Sequence, residues 1–285
     1  MSAAPSAIRQ SAAEWCYFRD GTDPAAYYRR LKAVGVAGVE MADPSRWQAA
    51  KAAGLELVNI GAPGMERGLN RVEDHAEILP KIRESIATAA DNGIPTVIVF
   101  SGNRGAQSDA AGIAACAKGL AALAPEAERR GITLILEVLN AFDHKDYHCA
   151  SSRFAFAVVD AVASPKVKSL YDIYHLQRMG EPLLDTILAN LGRIAHLHIA
   201  GSPKRDFPGP EQEIDYATIV KRVHAAGYRG WWGQEFVPAG RWDPASKADP
   251  LDELERAVAR FAGFVGGEVR KSGNPEVRKS SITGG

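Results

Sequence analysis

The chain has 285 residues, with 34 Lys plus Arg against 34 Asp plus Glu, 46% hydrophobic and 24% charged residues. That is the composition of a globular protein with enough chain to bury a large core without disulfide or metal staples. Balanced charge supplies no basic excess for a phosphate backbone, and no stretch approaches the ~18 apolar residues of a membrane helix, so neither nucleic acid nor a membrane is an expected partner.

The first ten residues, MSAAPSAIRQ, lack a basic segment followed by an apolar run, so no export signal is expected. An apolar run follows at IRQSAAEW (8–15), then DPAAYYRRLKAVG (23–35), where Asp23 can cap a helix, Pro24 suits its first turn and Gly35 ends it. Next come strand candidates GVAGVEMA (35–42) and LELVNIGA (55–62), the helical stretch HAEILPKIRESIATAADNG (75–93) and the strand TVIVFSG (96–102). The alternation continues with AAGIAACAKGLAALAPEAERRG (110–131), ITLILEVL (132–139), SSRFAFAVVDAVAS (151–164), VKSLYDIY (167–174), EPLLDTILANLG (181–192), IAHLHIAG (194–201), DYATIVKRVHAAGYRG (215–230) and WWGQEF (231–236). Most strand candidates are continuously apolar, as parallel strands covered on both faces must be. Eight strand-then-helix units in about 265 residues predict an α/β protein with a (β/α)8 TIM barrel. A doubly wound sheet is the alternative, because alternation alone does not show closure.

The barrel is expected over residues 1–266, and residues 267–285, rich in Gly, Ser, Lys and Arg without an apolar period, read as a disordered tail. Cys16, Cys116 and Cys149 are odd in number and scattered, which fits neither a disulfide framework nor a zinc pair and points to a reducing cytoplasm. A homodimer is compatible with exposed barrel helices, though no motif encodes it.

In such a barrel, polar residues at the C-terminal strand ends carry the chemistry. Four successive strands end in one: Glu137 closes LILE, Asp172 closes SLYD, His198 lies in HLHIAG and Glu235 closes WWGQE. Three carboxylates and an imidazole converging on one mouth need a cation between them, and oxygen-rich ligation with one His suits Mg²⁺ or Mn²⁺. Taken singly, a Glu at a strand end is more often solvated or ion-paired; four in succession favour a site. His196 shares a strand face with His198, so either could be the ligand and the other a core histidine, with position favouring His198.

Asp172 is followed by His175, which can hydrogen-bond a substrate oxygen, although a plain surface His fits the spacing equally well. The Pro/Gly-rich segment 201–215 places Lys204 and Arg205 after the seventh strand, and a bidentate clamp on an anion would favour Arg205. Asn140, Asp143, His144, Tyr147 and His148 follow Glu137, while Glu40 and Asn59 add polar groups to the mouth. Trp15, Phe100, Trp231, Trp232 and Phe236 either wall the mouth or pack the core. Phosphate loops, nucleophile elbows and zinc-protease motifs are absent from the sequence.

The motifs E-V-L-N-x-x-D-x-x-x-Y (137–147), Y-D-I-Y-H (171–175), H-L-H-I-A-G-x-P-x-R (196–205), E-I-D-Y (213–216) and G-Y-x-G-W-x-G-x-E-F-x-P-x-G (227–240) resemble the hydroxypyruvate isomerase family of the xylose-isomerase-like TIM barrels. The resemblance spans about residues 8–265. It implies that Glu137 and Glu235 are an acid/base pair that also contacts a divalent metal, that Asp172 and His198 complete the ligands, and that His175 and Arg205 contact substrate. Glu40, Asn140 and Tyr147 complete the candidate substrate-binding set. One departure is the loop NAFDHKDYHC, where the family more commonly has N-x-x-D-x-P-G-Y.

The expected activity is metal-dependent isomerisation of a small α-hydroxycarbonyl compound, hydroxypyruvate to tartronate semialdehyde in type, by proton transfer between the two glutamates. A sugar or inosose epimerase, isomerase or dehydratase on the same site, or a sugar-binding barrel without turnover, is the competing reading. A zinc nuclease of the related endonuclease type is disfavoured by the neutral charge and by only seven His.

Overall fold

A computed structural model describes residues 8–243 and 245–266. The expected tail at 267–285 lies outside the described residues.

The chain begins with β1 (Arg9–Ala13), a helical turn α1 (Glu14–Tyr17), α2 (Pro24–Val34), β2 (Gly38–Glu40), α3 (Trp47–Ala52), β3 (Glu56–Gly61), α4 (His75–Asp91) and β4 (Thr96–Val99). It continues with α5 (Asp109–Arg130), β5 (Thr133–Glu137), α6 (Ser152–Val162), β6 (Val167–Asp172), α7 (Ile173–Arg178), α8 (Leu183–Ala189), β7 (Ile194–Ile199), α9 (Tyr216–Ala225), β8 (Trp231–Gln234) and α10 (Pro250–Val265). The strands pair in parallel in the order β1 to β8, and β8 pairs with β1, which closes the barrel and excludes the doubly wound alternative.

Local chemistry sets the boundaries. Asp23 accepts the Ala26 N–H at 2.9 Å, Pro24 opens α2, and Gly35 ends it in the left-handed region at φ 104°. Ser151, Asp215 and Asp249 cap α6, α9 and α10 in the same way. Leu134, Ile135 and Leu136 of β5 are all fully buried, as a strand packed on both faces requires. Among the described residues, no helix is long and apolar enough to cross a membrane, and all three cysteines are buried and free.

All eight strands are shorter than their expected runs, and in three of them a local turn shows why. The first stops at Ala13, because residues 14–17 turn into α1 and carry Trp15 out of the strand. The second is only Gly38–Glu40, since Met41 turns at φ 49°. The sixth ends at Asp172, whose carboxylate accepts the His175 N–H at 3.0 Å and starts α7 where the sequence reads as strand.

Candidate active site

The C-terminal ends of four strands converge. Asp172 and His198 are register partners on β6 and β7, His198 pairs across to Gly233 on β8, Glu137 ends β5, and Glu235 follows β8 directly. One ligand atom from each of Glu137, Asp172, His198 and Glu235 lies within 4.8 Å of every other, and all four residues are buried. His198 Nδ1 sits 2.9 Å from Glu235 Oε2, 3.6 Å from Glu137 Oε1 and 3.7 Å from Asp172 Oδ2. Despite the short approach to Glu235, Nδ1 has no aligned hydrogen bond, so it faces three carboxylates without bonding to one. A buried nitrogen among three buried carboxylates is the donor set of a divalent cation.

Electrostatics reports the same crowding. Burial pushes the Asp172 carboxyl up to about 7 against the pull of His198 and Arg205, with Glu235 adding to the rise. Burial acts in the same direction on Glu235, but His198, Arg205 and the Trp15 indole more than offset it and hold that carboxyl far below the usual range. Burial alone would keep His198 neutral; Glu235 and Glu40 push it well up instead. A cation among these groups would stabilise every carboxylate at once.

Glu235 is held from two sides. Trp15 Nε1 donates to its Oε1 at 2.9 Å and Arg205 Nη2 to its Oε2 at 2.7 Å. The Arg205 guanidinium lies over the rings of Trp15 and Tyr174, at 5.1 and 5.6 Å, and its Nε is buried without a partner. Arg205 has φ 57°, a left-handed conformation fixed in part by the Val237 N–H donating to its carbonyl at 2.7 Å. The neighbouring Lys204 is exposed and lines a separate surface cavity with Asp206, Phe207 and Glu253.

His175 is fully buried. Its Nδ1 accepts the Asn140 backbone N–H at 3.1 Å, which leaves the proton on Nε2. That Nε2–H has no hydrogen-bond partner among the described residues and lies 3.7 Å from Asp172 Oδ2, so it is a neutral donor at the edge of the ligand cluster. The His144 ring packs edge-on against it at 5.4 Å.

Three further candidate residues bond within the protein. Asn140 staples its own loop: Oδ1 accepts the Phe142 and Asp143 N–H groups, and Nδ2 donates to Asp143 Oδ2 at 2.9 Å. The Tyr147 hydroxyl donates to the Glu137 carbonyl and accepts the Ser101 N–H, each at 3.0 Å. Glu40 lies inside the barrel beneath the ligand cluster, where burial would raise its pKa but His196 and His198 hold it well below the usual range. The polar atoms of all three are engaged with protein partners.

His196, the alternative ligand, sits one layer lower with Nε2 3.0 Å from Glu40. Among the aromatics, Trp15 borders the site; Trp231 stacks under Arg9 at 4.0 Å, and Trp232 and Phe236 are core. The indole hydrogen bond to Glu235 was not legible in the sequence, because α1 reads there as strand.

A closed parallel barrel whose mouth gathers three carboxylates and one histidine that could hold a metal ion defines a TIM-barrel class with its candidate site at the C-terminal strand ends. The match of residues 28–259 to the family described as "Xylose isomerase-like TIM barrel" makes the assignment specific: the chain belongs to that family. The hydroxypyruvate isomerase of Escherichia coli is 37% identical over 110 residues, spanning 39% of this chain and 42% of that protein. A Streptomyces coelicolor protein with a provisional hydroxypyruvate isomerase name is 31% identical over 210 residues, 69% of this chain and 74% of that one. The 2-oxo-tetronate isomerase of Pectobacterium atrosepticum is 32% identical over 111 residues, 39% of this chain and 42% of that protein. Among solved structures, a family 2 AP endonuclease from Brucella melitensis superposes with a TM-score of 0.77 at 24% identity, over 91% of this chain and 100% of the other. D-psicose 3-epimerase of Clostridium cellulolyticum gives 0.74 at 16% identity, over 90% and 99%. These structural likenesses establish the fold.

Proposed function

We propose that the chain is a metal-dependent isomerase of a small 2-oxo, 3-hydroxy acid, converting hydroxypyruvate to tartronate semialdehyde or acting on a one-carbon-longer homologue. The observation that carries this reading is the pair Glu137 and Glu235, three strands apart around the barrel and both facing His198 Nδ1. Binding a sugar without turnover requires no such pair. The names of the sequence relatives point to the same chemistry.

Glu137, Asp172, His198 and Glu235 would hold the ion, and Mg²⁺ or Mn²⁺ matches three hard oxygens and one imidazole. When bound, a divalent ion supplies Lewis-acid stabilisation of the enediolate. The protein does the rest. One glutamate removes a proton from the hydroxyl-bearing carbon while the C–H electrons form the enediolate double bond and the carbonyl π electrons move onto the carbonyl oxygen. The other supplies a proton to the former carbonyl carbon, and the hydroxyl proton passes to the former carbonyl oxygen as the carbonyl shifts to its neighbour. His175 Nε2–H donates to a substrate oxygen, and the Arg205 guanidinium, with a spare buried Nε–H, attracts the substrate carboxylate. The Trp15 indole excludes water from the Glu235 side.

The test is a proton-NMR assay with hydroxypyruvate in heavy water, beside metal analysis. Wild type should bind metal and exchange the carbon-bound proton; Glu235→Gln should lose exchange by about 10²- to 10⁴-fold. Bound metal with no exchange on hydroxypyruvate or its four-carbon homologue, but exchange on ketohexoses, would transfer the assignment to a sugar epimerase.

A further inference from the structure

One layer below the ligand cluster, the barrel interior holds a carboxylate with no exposure to solvent. Glu40 is 0% exposed and takes two donors on each oxygen. Ser11 Oγ at 2.5 Å and His196 Nε2 at 3.0 Å meet Oε1, while Asn59 Nδ2 at 2.6 Å and His198 Nε2 at 2.9 Å meet Oε2. The orientation of Asn59 is fixed, because its Oδ1 accepts the Met41 N–H at 3.1 Å and leaves Nδ2 for Glu40. An ionised carboxylate offers about four lone-pair sites, and all of them are used.

Both imidazoles therefore present Nε2–H to Glu40. It is His198 Nδ1 that faces Glu137, Asp172 and Glu235, and with a cation among them it would present its lone pair. Glu40, His196 and His198 also approach one another closely enough to suggest a second metal site. Their 2.9 and 3.0 Å separations are those of hydrogen bonds, and Ser11 and Asn59 already occupy the remaining lone pairs of the carboxylate.

We infer that Glu40 is a positioning residue for the metal: by accepting a hydrogen bond from His198 Nε2–H, it fixes the tautomer of that ring and aims Nδ1 at the cation. Glu40 touches neither substrate nor ion, and the inference rests on the metal-dependent reading above. A ligating histidine whose other N–H loses its acceptor typically loses about 10- to 100-fold in metal affinity.

The deciding experiment strips wild type and Glu40→Leu with a chelator and titrates both with Mn²⁺ by calorimetry, with circular dichroism to confirm folding. A leucine side chain accepts from neither histidine, so the His198 Nε2–H loses its acceptor. The expected result is an affinity loss of about 10- to 100-fold in a folded variant. Equal affinity in folded Glu40→Leu overturns the inference and leaves the metal reading standing; wild type that binds no Mn²⁺ overturns both. If the variant does not fold, proton–nitrogen NMR of the Mg²⁺-loaded wild type decides. His198 protonated on Nε2 supports the inference, and a bare Nε2 with the proton on Glu40 refutes it.

Discussion

Trp15 is the residue whose contribution is easiest to separate from metal binding. Its indole donates to Glu235 Oε1 at 2.9 Å, while Arg205 holds the other oxygen, so the carboxylate has one fixed orientation. Phenylalanine at this position keeps a ring under Arg205 but removes the donor. A hydrogen bond to a charged group is worth roughly 1.5–3 kcal/mol, so Trp15→Phe should lower kcat/KM by about 10- to 100-fold. Mn²⁺ affinity should stay within about threefold, because Arg205 and the four ligands remain. Steady-state kinetics beside calorimetry checks both numbers; unchanged turnover would mean that Arg205 alone orients Glu235. His175 illustrates the same economy, since the Asn140 backbone N–H donates to Nδ1, sets the tautomer and leaves Nε2–H without a partner among the described residues.

At the scale of elements, the strands were legible because most are continuous apolar runs, and the four-residue cluster was legible because four runs carry a polar residue at their ends. Glu40 was not, although it too ends a strand. The pairing of β2 with β3 shifts register between Val39 and Glu40 by one extra residue on β3, which sets Asn59 beside Glu40 inside the barrel. Nothing in the spacing of GVEMA encodes that shift. Gly233 on β8 supplies the room, since a Cβ there would collide with Glu40 Oε1 and lie 2.8 Å from His198 Cδ2 and 3.0 Å from His196 Nε2. Gly233→Ala should therefore cost about 1–3 kcal/mol in urea unfolding and weaken Mn²⁺ binding together. A stable variant with wild-type affinity would show that the layer can yield. The departure in the loop after β5 has a physical reading as well. Asp146 stands where the family more commonly has Gly, and it adopts φ 70°. Its carboxylate accepts the Gly105 N–H at 3.0 and 3.2 Å, tying this loop to the one after β4. Asp146→Gly and Asp146→Ala both lose that tie, but only alanine keeps the left-handed strain. The alanine variant should be the less stable by about 1 kcal/mol in parallel unfolding curves.

Over the whole molecule, a barrel interior is ordinarily filled by layers of branched apolar side chains. Here the layer that includes Ser11, Glu40, Asn59, His196 and His198 is polar, and the cluster above it sets three carboxylates around one nitrogen. Each buried charge costs desolvation free energy unless paired. Glu40 has its two histidines, and Glu235 has Arg205 and Trp15. No positive group pairs with Asp172 as closely, and its raised pKa of about 7 records that deficit. The ligands come from β5, β6, β7 and the end of β8, so a cation would relieve repulsion across half the ring at once. It would bind only the closed barrel, because an unfolded chain does not assemble the four donors. Folding and metal binding should therefore be linked, with stabilisation of about 2.7 kcal/mol at a free ion concentration 100 times Kd. In a domain of this size that amounts to a rise in Tm of about 5 °C, to be read by thermal unfolding with saturating Mn²⁺ against excess chelator. Substituting Asp172→Asn should shrink the rise and at the same time raise the Tm of the chelated protein, since it removes a ligand and an unpaired buried charge together. If the Tm of the chelated variant fell below that of chelated wild type, the repulsion argued here would not be what limits the empty barrel.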